Sequence, residues 1–188
     1  MSSTPSSRQY LFLTASSRPG GNSAQLARHA AHFLPPATTQ RWVSLVDHPL
    51  PPFVDLRHRD EESATYPSAQ GAALHLLEAT LAATDVVLVT PLYWYALPAP
   101  AKLWLDHWTS WLNQPALDFR AAMRGKTLWA VVVSAGSAAE AAPLAEMLRL
   151  SAVYMGMQWG GMLLGNGSRP GEVRHDKVAW TSATSFFR

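Results

Sequence analysis

Two stretches of this chain, VVLVT at 86–90 and LWAVVV at 128–133, are apolar at every position but one terminal threonine. A strand with one wet face alternates apolar and polar residues, so a strand without alternation is covered on both faces. A third short run, YLFLT at 10–14, has the same character. Between these runs the apolar residues recur at helical spacing: Leu26, Ala27, Ala30 and Phe33 up to Pro35–Pro36, then Leu74, Leu77 and Leu81 within 68–83, and Leu144, Met147, Leu148 and Tyr154. Trp42–Leu45 gives a weak second strand and Gly161–Leu164 a fifth. Residues 47–67 read as a long loop, Pro98 and Pro100 suit the first turn of a helix reaching Trp111, and a short last helix fits 176–187.

Strands buried on both sides and alternating with helices define an α/β protein with a parallel sheet between two helical layers. Five such units favour a flavodoxin-like three-layer sandwich with strand order 2-1-3-4-5 over the six-stranded dinucleotide fold. At 188 residues the whole chain, 1–188, is expected to be one domain, with residues 1–8 frayed and no cleavage signal at the N-terminus. The absence of cysteine excludes thiol nucleophiles and thiolate metal sites, and with no sign of an oxidising compartment the expected location is cytoplasmic. A net charge of +2 with scattered Lys and Arg gives no reason to expect a nucleic-acid partner, and no apolar run is long enough for membrane insertion.

In open parallel sheets ligands bind beyond the carboxyl ends of the strands, where the strand order reverses. Three loops fall there. The first, ASSRPGGNS at 15–23, precedes a helix, so N–H groups and the positive dipole end could meet a phosphate with Ser16, Arg18, Asn22 and Ser23 as contacts. Equally, the same loop could be an ordinary βα turn with Ser23 as a helix cap. The second, Pro91, Leu92, Tyr93, Trp94 and Tyr95, offers aromatic surface for a planar ring. Trp104, Trp108 and Trp111 lie at helical spacing and read as packing, in the core or against a second subunit. The third, Ser134, Ala135, Gly136 and Ser137, could bring backbone N–H groups to the edge of that ring.

Other motifs are excluded or ordinary. Gly125-Lys126-Thr127 precedes a strand and lacks the first glycine of a nucleotide P-loop, and GNGSRPG at 165–171 has Pro170 where GxGxxG needs its last glycine. His29 and His32 are expected to face solvent, and no metal site is expected. Asp55, His58, Glu61 and Glu62 read as a solvated charged loop, Lys102 and Asp106 as a surface pair, and His107 as a packed helix histidine.

The succession ASSRPGGNS, then PLYWYALPAPAKLWLD at 91–106, resembles the flavodoxin-like NAD(P)H-dependent oxidoreductases, which include FMN reductases and quinone reductases. That resemblance implies FMN held by the first loop through its phosphate, by Pro91–Tyr95 along its ring, and by Ser134–Ser137. It further implies NADPH or NADH as electron donor, a quinone, free flavin or similar small acceptor, and a homodimer in contact through helix 99–111. A flavodoxin-type electron carrier and a flavin-binding regulatory subunit of a transport protein are the alternatives. Such carriers are usually strongly acidic, whereas this chain has a pI near 9.2.

Overall fold

The computed structural model describes residues 8–57, 65–114 and 116–188. Its elements run β1 (Gln9–Thr14), α1 (Asn22–His32), β2 (Thr39–Ser44), α2 (Gly71–Ala82), β3 (Asp85–Pro91), α3 (Ala99–Leu112), α4 (Phe119–Met123), β4 (Thr127–Ser134), α5 (Ala138–Tyr154), β5 (Gln158–Asn166), a 3₁₀ turn (Glu172–His175) and α6 (Lys177–Ala183). All strand pairs are parallel in the order β2-β1-β3-β4-β5, as the apolar runs imply. β3 is buried from Asp85 to Thr90 and β4 from Leu128 to Ser134.

Side-chain alternation along the strands feeds two separate cores. Leu11, Leu13, Val86, Leu88, Leu128, Ala130 and Val132 face α2, α3, α4 and α5. Tyr10, Phe12, Val87, Val89, Val131 and Val133 face α1 and α6. Each strand therefore supplies both layers, the three-layer sandwich expected.

The edge strands depart most from the apolar pattern, because water reaches them. β2 begins at Thr39 with three exposed polar residues instead of at Trp42. β5 extends over Gln158–Asn166, well beyond 161–164, and its register slips opposite Leu128 and Trp129. The cause lies in Gly160, where a Cβ would come 2.3 Å from the Trp129 ring. In α2 Leu77 is buried and Leu81 packs partly on the core as the 74-77-81 spacing expects, but Leu74 is exposed and Leu76 is buried in its stead, so the buried stripe is rotated by about a third of a turn from that spacing. The last helix ends at Ala183, and Phe187 then folds back against Tyr10, Phe12 and Trp129.

Asp85, fully buried at the amino end of β3, accepts from Arg8 Nε (3.0 Å), Thr84 Oγ1 (2.7 Å) and Trp129 Nε1 (2.9 Å). Arg8 is thereby tied into the sheet; the other residues expected to fray, 1–7, lie outside the described residues. Lys126, part of the rejected P-loop, donates its ammonium to the Leu81 and Ala83 carbonyls at the end of α2.

Helix α3 corrects one expectation. Trp104, Trp108 and Trp111 are core residues, Trp104 packed on Trp108 and both Trp108 and Trp111 on Phe119, so they do not form an exposed contact for a second subunit. Their helical spacing is that of the inward face of α3, whose outer face carries Lys102, Leu105, Asp106 and Thr109. Trp111→Ser is accordingly expected to lower the free energy of unfolding by about 3–5 kcal/mol, the range for emptying an aromatic site in a core. Urea denaturation measures this directly; an unchanged midpoint would place Trp111 at the surface.

Candidate functional site

The carboxyl ends of β1, β3, β4 and β5 frame an open cleft of about 190 Å³. Its walls are Ser16, Arg18, Asn22 and Ser23 from the first loop, Pro91, Leu92 and Tyr93 from the second, and Ser134 and Ala135 from the third. The three loops therefore converge, because β1, β3 and β4 are neighbours and Leu92 N–H reaches the Val133 carbonyl at 3.0 Å. Four expected residues stand apart from the cleft lining: Trp94 and Tyr95 project to solvent, and Gly136 and Ser137 lead into α5.

The first loop ends as an open helix terminus. Gly21 is the N-cap residue of α1 and supplies no side-chain cap, so Ser23, buried in the first turn, is not the cap. The terminus keeps orphan N–H groups and its positive dipole end. Ser16 Oγ accepts from Arg18 N–H at 3.2 Å, which leaves the hydroxyl proton free to donate. Among the described residues no Asp or Glu lines the cleft. An anion is the ligand such a surface suits.

Asn22 has another task. Its Nδ2 donates to the Arg169 carbonyl (2.9 Å) and its Oδ1 accepts from Gly171 N–H (2.8 Å). This amide pins GNGSRPG, the loop after β5, across the mouth of the cleft, where Gly167 and Ser168 complete the lining. Arg18 Nη1 reaches the Ser168 carbonyl at 3.4 Å, and Glu172 accepts from the N–H groups of Ser168 (2.7 Å) and Arg169 (2.8 Å). These two N–H bonds hold the Glu172 carboxyl below its usual range. At Gly167 a Cβ would lie 2.8 Å from Val173 N, so only glycine allows this approach. Sequence reasoning misses this fourth loop, because its glycines fit no nucleotide motif. Two glycines and a turn after the last strand are the sole signal it gives.

The second loop is a two-residue hairpin. Tyr93 N–H donates to Ala96 O (3.2 Å) and Ala96 N–H to Tyr93 O (3.0 Å), with Trp94 and Tyr95 at the corner. Both corner residues have positive φ, 51° and 61°, in a turn that favours Asn and Gly. Trp94 is 94% exposed. Two aromatic residues thus hold a left-handed conformation that costs about 1–2 kcal/mol each, without burial to offset it. In the third loop Ser134 Oγ accepts from Gly136 N–H at 3.2 Å, so that N–H is committed within the turn and not offered to a ligand.

The remaining polar candidates are structural. His29 stacks on Trp180 (3.9 Å between centroids) and bonds its carbonyl, so it docks α6 on α1 instead of facing solvent, whereas His32 is exposed. His107 Nε2 donates to Pro51 O at 2.9 Å, and Lys102 pairs with Asp106. Asp55 pairs with Arg57 and accepts from Tyr66 Oη (2.9 Å), while His58, Glu61 and Glu62 lie outside the described residues. No cluster of metal-ligating side chains occurs among the described residues.

Residues 8–183 match the family defined by the flavodoxin-like fold, and the chain belongs to that family. A Bacillus subtilis protein described as an NAD(P)H-dependent FMN-containing oxidoreductase, YwqN, is 26% identical over 178 residues, 94% of either chain. Among solved structures, the Trp repressor binding protein of Bacillus subtilis superimposes with a TM-score of 0.75 at 23% identity, over 95% of this chain and 97% of that one. The NAD(P)H:quinone oxidoreductase of Methanothermobacter marburgensis gives 0.68 at 15% identity, over 95% and 94%. At these identities the structural likenesses speak to the fold.

The strained corner yields a test that needs no ligand. Tyr95→Gly relieves a left-handed tyrosine and is expected to raise stability by about 1 kcal/mol after the entropy of glycine in the unfolded chain is offset. A higher melting temperature checks it; a loss of stability would show that Tyr95 is held by contacts worth more than its strain.

Proposed function

We propose that this chain is an FMN-dependent NAD(P)H oxidoreductase that passes two electrons from NADH or NADPH to a quinone, free flavin or similar small acceptor. One observation carries the reading: an uncapped helix terminus with Arg18, on a lining without described carboxylates, faces an aromatic hairpin across a single cleft. Such a cleft suits a ligand with a phosphate at one end and a flat ring at the other. FMN fits this division, and when bound it supplies hydride acceptance and two-electron release. The description of YwqN supports the same cofactor and donor.

This chain's residues divide the binding work. The first-turn N–H groups of α1, the Ser16 hydroxyl and the Arg18 guanidinium hold the phosphate. Pro91, Leu92 and Tyr93 give the ring an apolar wall, and Trp94 and Tyr95 stand where they can exclude water above it. Ser134 and Ala135 close the opposite side. Gly136 and Ser137 shape that turn from outside, and Asn22 acts through the fourth loop instead of on the phosphate.

Charge and topology support the rest of the reading. Among the described residues no helix is long and apolar enough to cross a membrane. A cytoplasmic homodimer accords with the absence of cysteine and with an apolar groove of about 420 Å³ between α3 and α5, which includes Leu105, Leu112, Leu150 and Tyr154. Leu150→Asp would put a charge in a buried contact and is expected to give monomer by light scattering while the fold survives. A folded dimer at unchanged strength would remove this face from the assembly.

The oxidoreductase reading is tested by titrating the protein with FMN and riboflavin, then adding NADPH without oxygen. Bleaching of the bound flavin is expected. Arg18→Ala should weaken FMN binding by about 1.5–3 kcal/mol and leave riboflavin, which lacks the phosphate, nearly unaffected. Trp94→Ala should weaken both alike. Absence of flavin binding, or equal losses of both flavins in Arg18→Ala, would overturn the assignment of the first loop.

A further inference from the structure

One strand beyond the cleft, a second groove wraps the carboxyl end of the edge strand β2, with Thr14 and Ser44 at its floor. Its walls bring cationic side chains together from both faces of the sheet. Arg28 projects from α1 and lies flat on the Trp42 ring, 4.6 Å from its centroid. Trp42 is fixed in turn by stacking on Phe12 at 4.1 Å, so the guanidinium is held with its edge N–H groups available. From the other face Arg41 Nη2 donates to His75 Nε2 at 3.2 Å. Arginine has no acceptor, so His75 accepts there and carries its proton on Nδ1. His48 stacks on His75 at 4.6 Å and donates Nδ1–H to the Ser44 carbonyl at 2.9 Å.

Among the described residues neither arginine of the groove is in an ion pair. The ion pairs there are Arg8–Asp85, Arg57–Asp55, Lys102–Asp106 and Arg149–Glu146, so no described carboxylate neutralises Arg28 or Arg41. Burial, then Arg41 and His48, push His75 below its ordinary pKa, against the opposing pull of Glu78. Asp47 is the single described carboxylate on the groove, and it is exposed. An anion bearing two charges would neutralise both arginines.

We propose that this groove binds a phosphate monoester, the 2′-phosphate of NADPH, through Arg28 and Arg41, and so selects NADPH over NADH. The inference rests on the oxidoreductase reading for its ligand and on the placement of the groove for its geometry. In the order β2-β1-β3-β4, with about 4.8 Å between neighbours, β2 lies roughly 10 Å from the strand that carries the aromatic hairpin and roughly 14 Å from β4. An extended dinucleotide spans such a distance, with its nicotinamide at the cleft and its adenosine end at the sheet edge. NADH has a 2′-hydroxyl in place of that phosphate and so offers these arginines no charged group at its adenosine ribose.

Calorimetry on the full chain with adenosine 2′,5′-bisphosphate, adenosine 5′-monophosphate and inorganic phosphate tests the site without flavin. The bisphosphate is expected to bind at least tenfold more tightly than either of the others. Arg41→Gln and Arg28→Gln should each weaken it by about tenfold, with the loss confined to the bisphosphate, and Asp47→Asn should tighten it. In turnover by the FMN-loaded protein, each arginine variant should raise the ratio of the KM for NADPH to that for NADH by about tenfold. Equal affinity for the two nucleotides, or inorganic phosphate binding as tightly as the bisphosphate, would overturn the proposal and leave the oxidoreductase reading intact. Arginine-dependent bisphosphate binding in a protein that never oxidises NADPH would support the phosphate site and sink the oxidoreductase reading instead.

Discussion

Burial of β3 and β4 on both faces governs everything else in this molecule. Strands covered on both sides run parallel, because each must be followed by a helix that returns the chain to the starting edge. All loops after strands then emerge together at the carboxyl edge. Between β1 and β3 the strand order reverses, so helices leave on opposite faces and a gap opens there. The cleft occupies this gap. Its position is a consequence of sheet topology, and its chemistry comes from loops that the buried strands hold still.

That hierarchy explains what is legible in the sequence. Central strands have one environment, apolar on both faces, and VVLVT and LWAVVV can be read almost to the residue. Edge strands answer to water, to a bulge and to one tryptophan ring, which is why Thr39–Gln40–Arg41 and Gln158–Trp159–Gly160 do not read as strand. The five-residue α4, capped by Asp118, is too short to display a helical period. The three tryptophans of α3 do form the stripe their spacing implies, but spacing does not say whether a stripe meets the core or a second subunit.

The candidate site divides along the same line. Loops following strongly apolar strands can be placed at one edge from the apolar pattern alone, and those containing residues 15–23, 91–95 and 134–137 do meet there. The loop at 165–171 follows the poorly patterned β5, and its role depends on a bond from Asn22 about 150 positions away in sequence. Long-range pairing of this sort leaves no periodic trace. Asn22 illustrates the difficulty: a residue type suited to phosphate contact is consumed in supporting the wall behind it.

The two halves of the cleft also differ in how completely the chain prepares them. Beside the α1 terminus the Asn22 amide, Glu172 and Gly167 lock the backbone before any ligand arrives, so binding an anion there would cost little ordering. At the hairpin the reverse holds: Trp94 and Tyr95 keep a left-handed backbone while their side chains stand exposed to solvent. Strain that persists without local compensation accumulates where a ligand or a partner supplies the missing contact. In the function proposed above, a rigid seat for a phosphate beside an exposed aromatic corner would leave the bound ring open to successive partners, as an exchange of electrons between two small molecules requires.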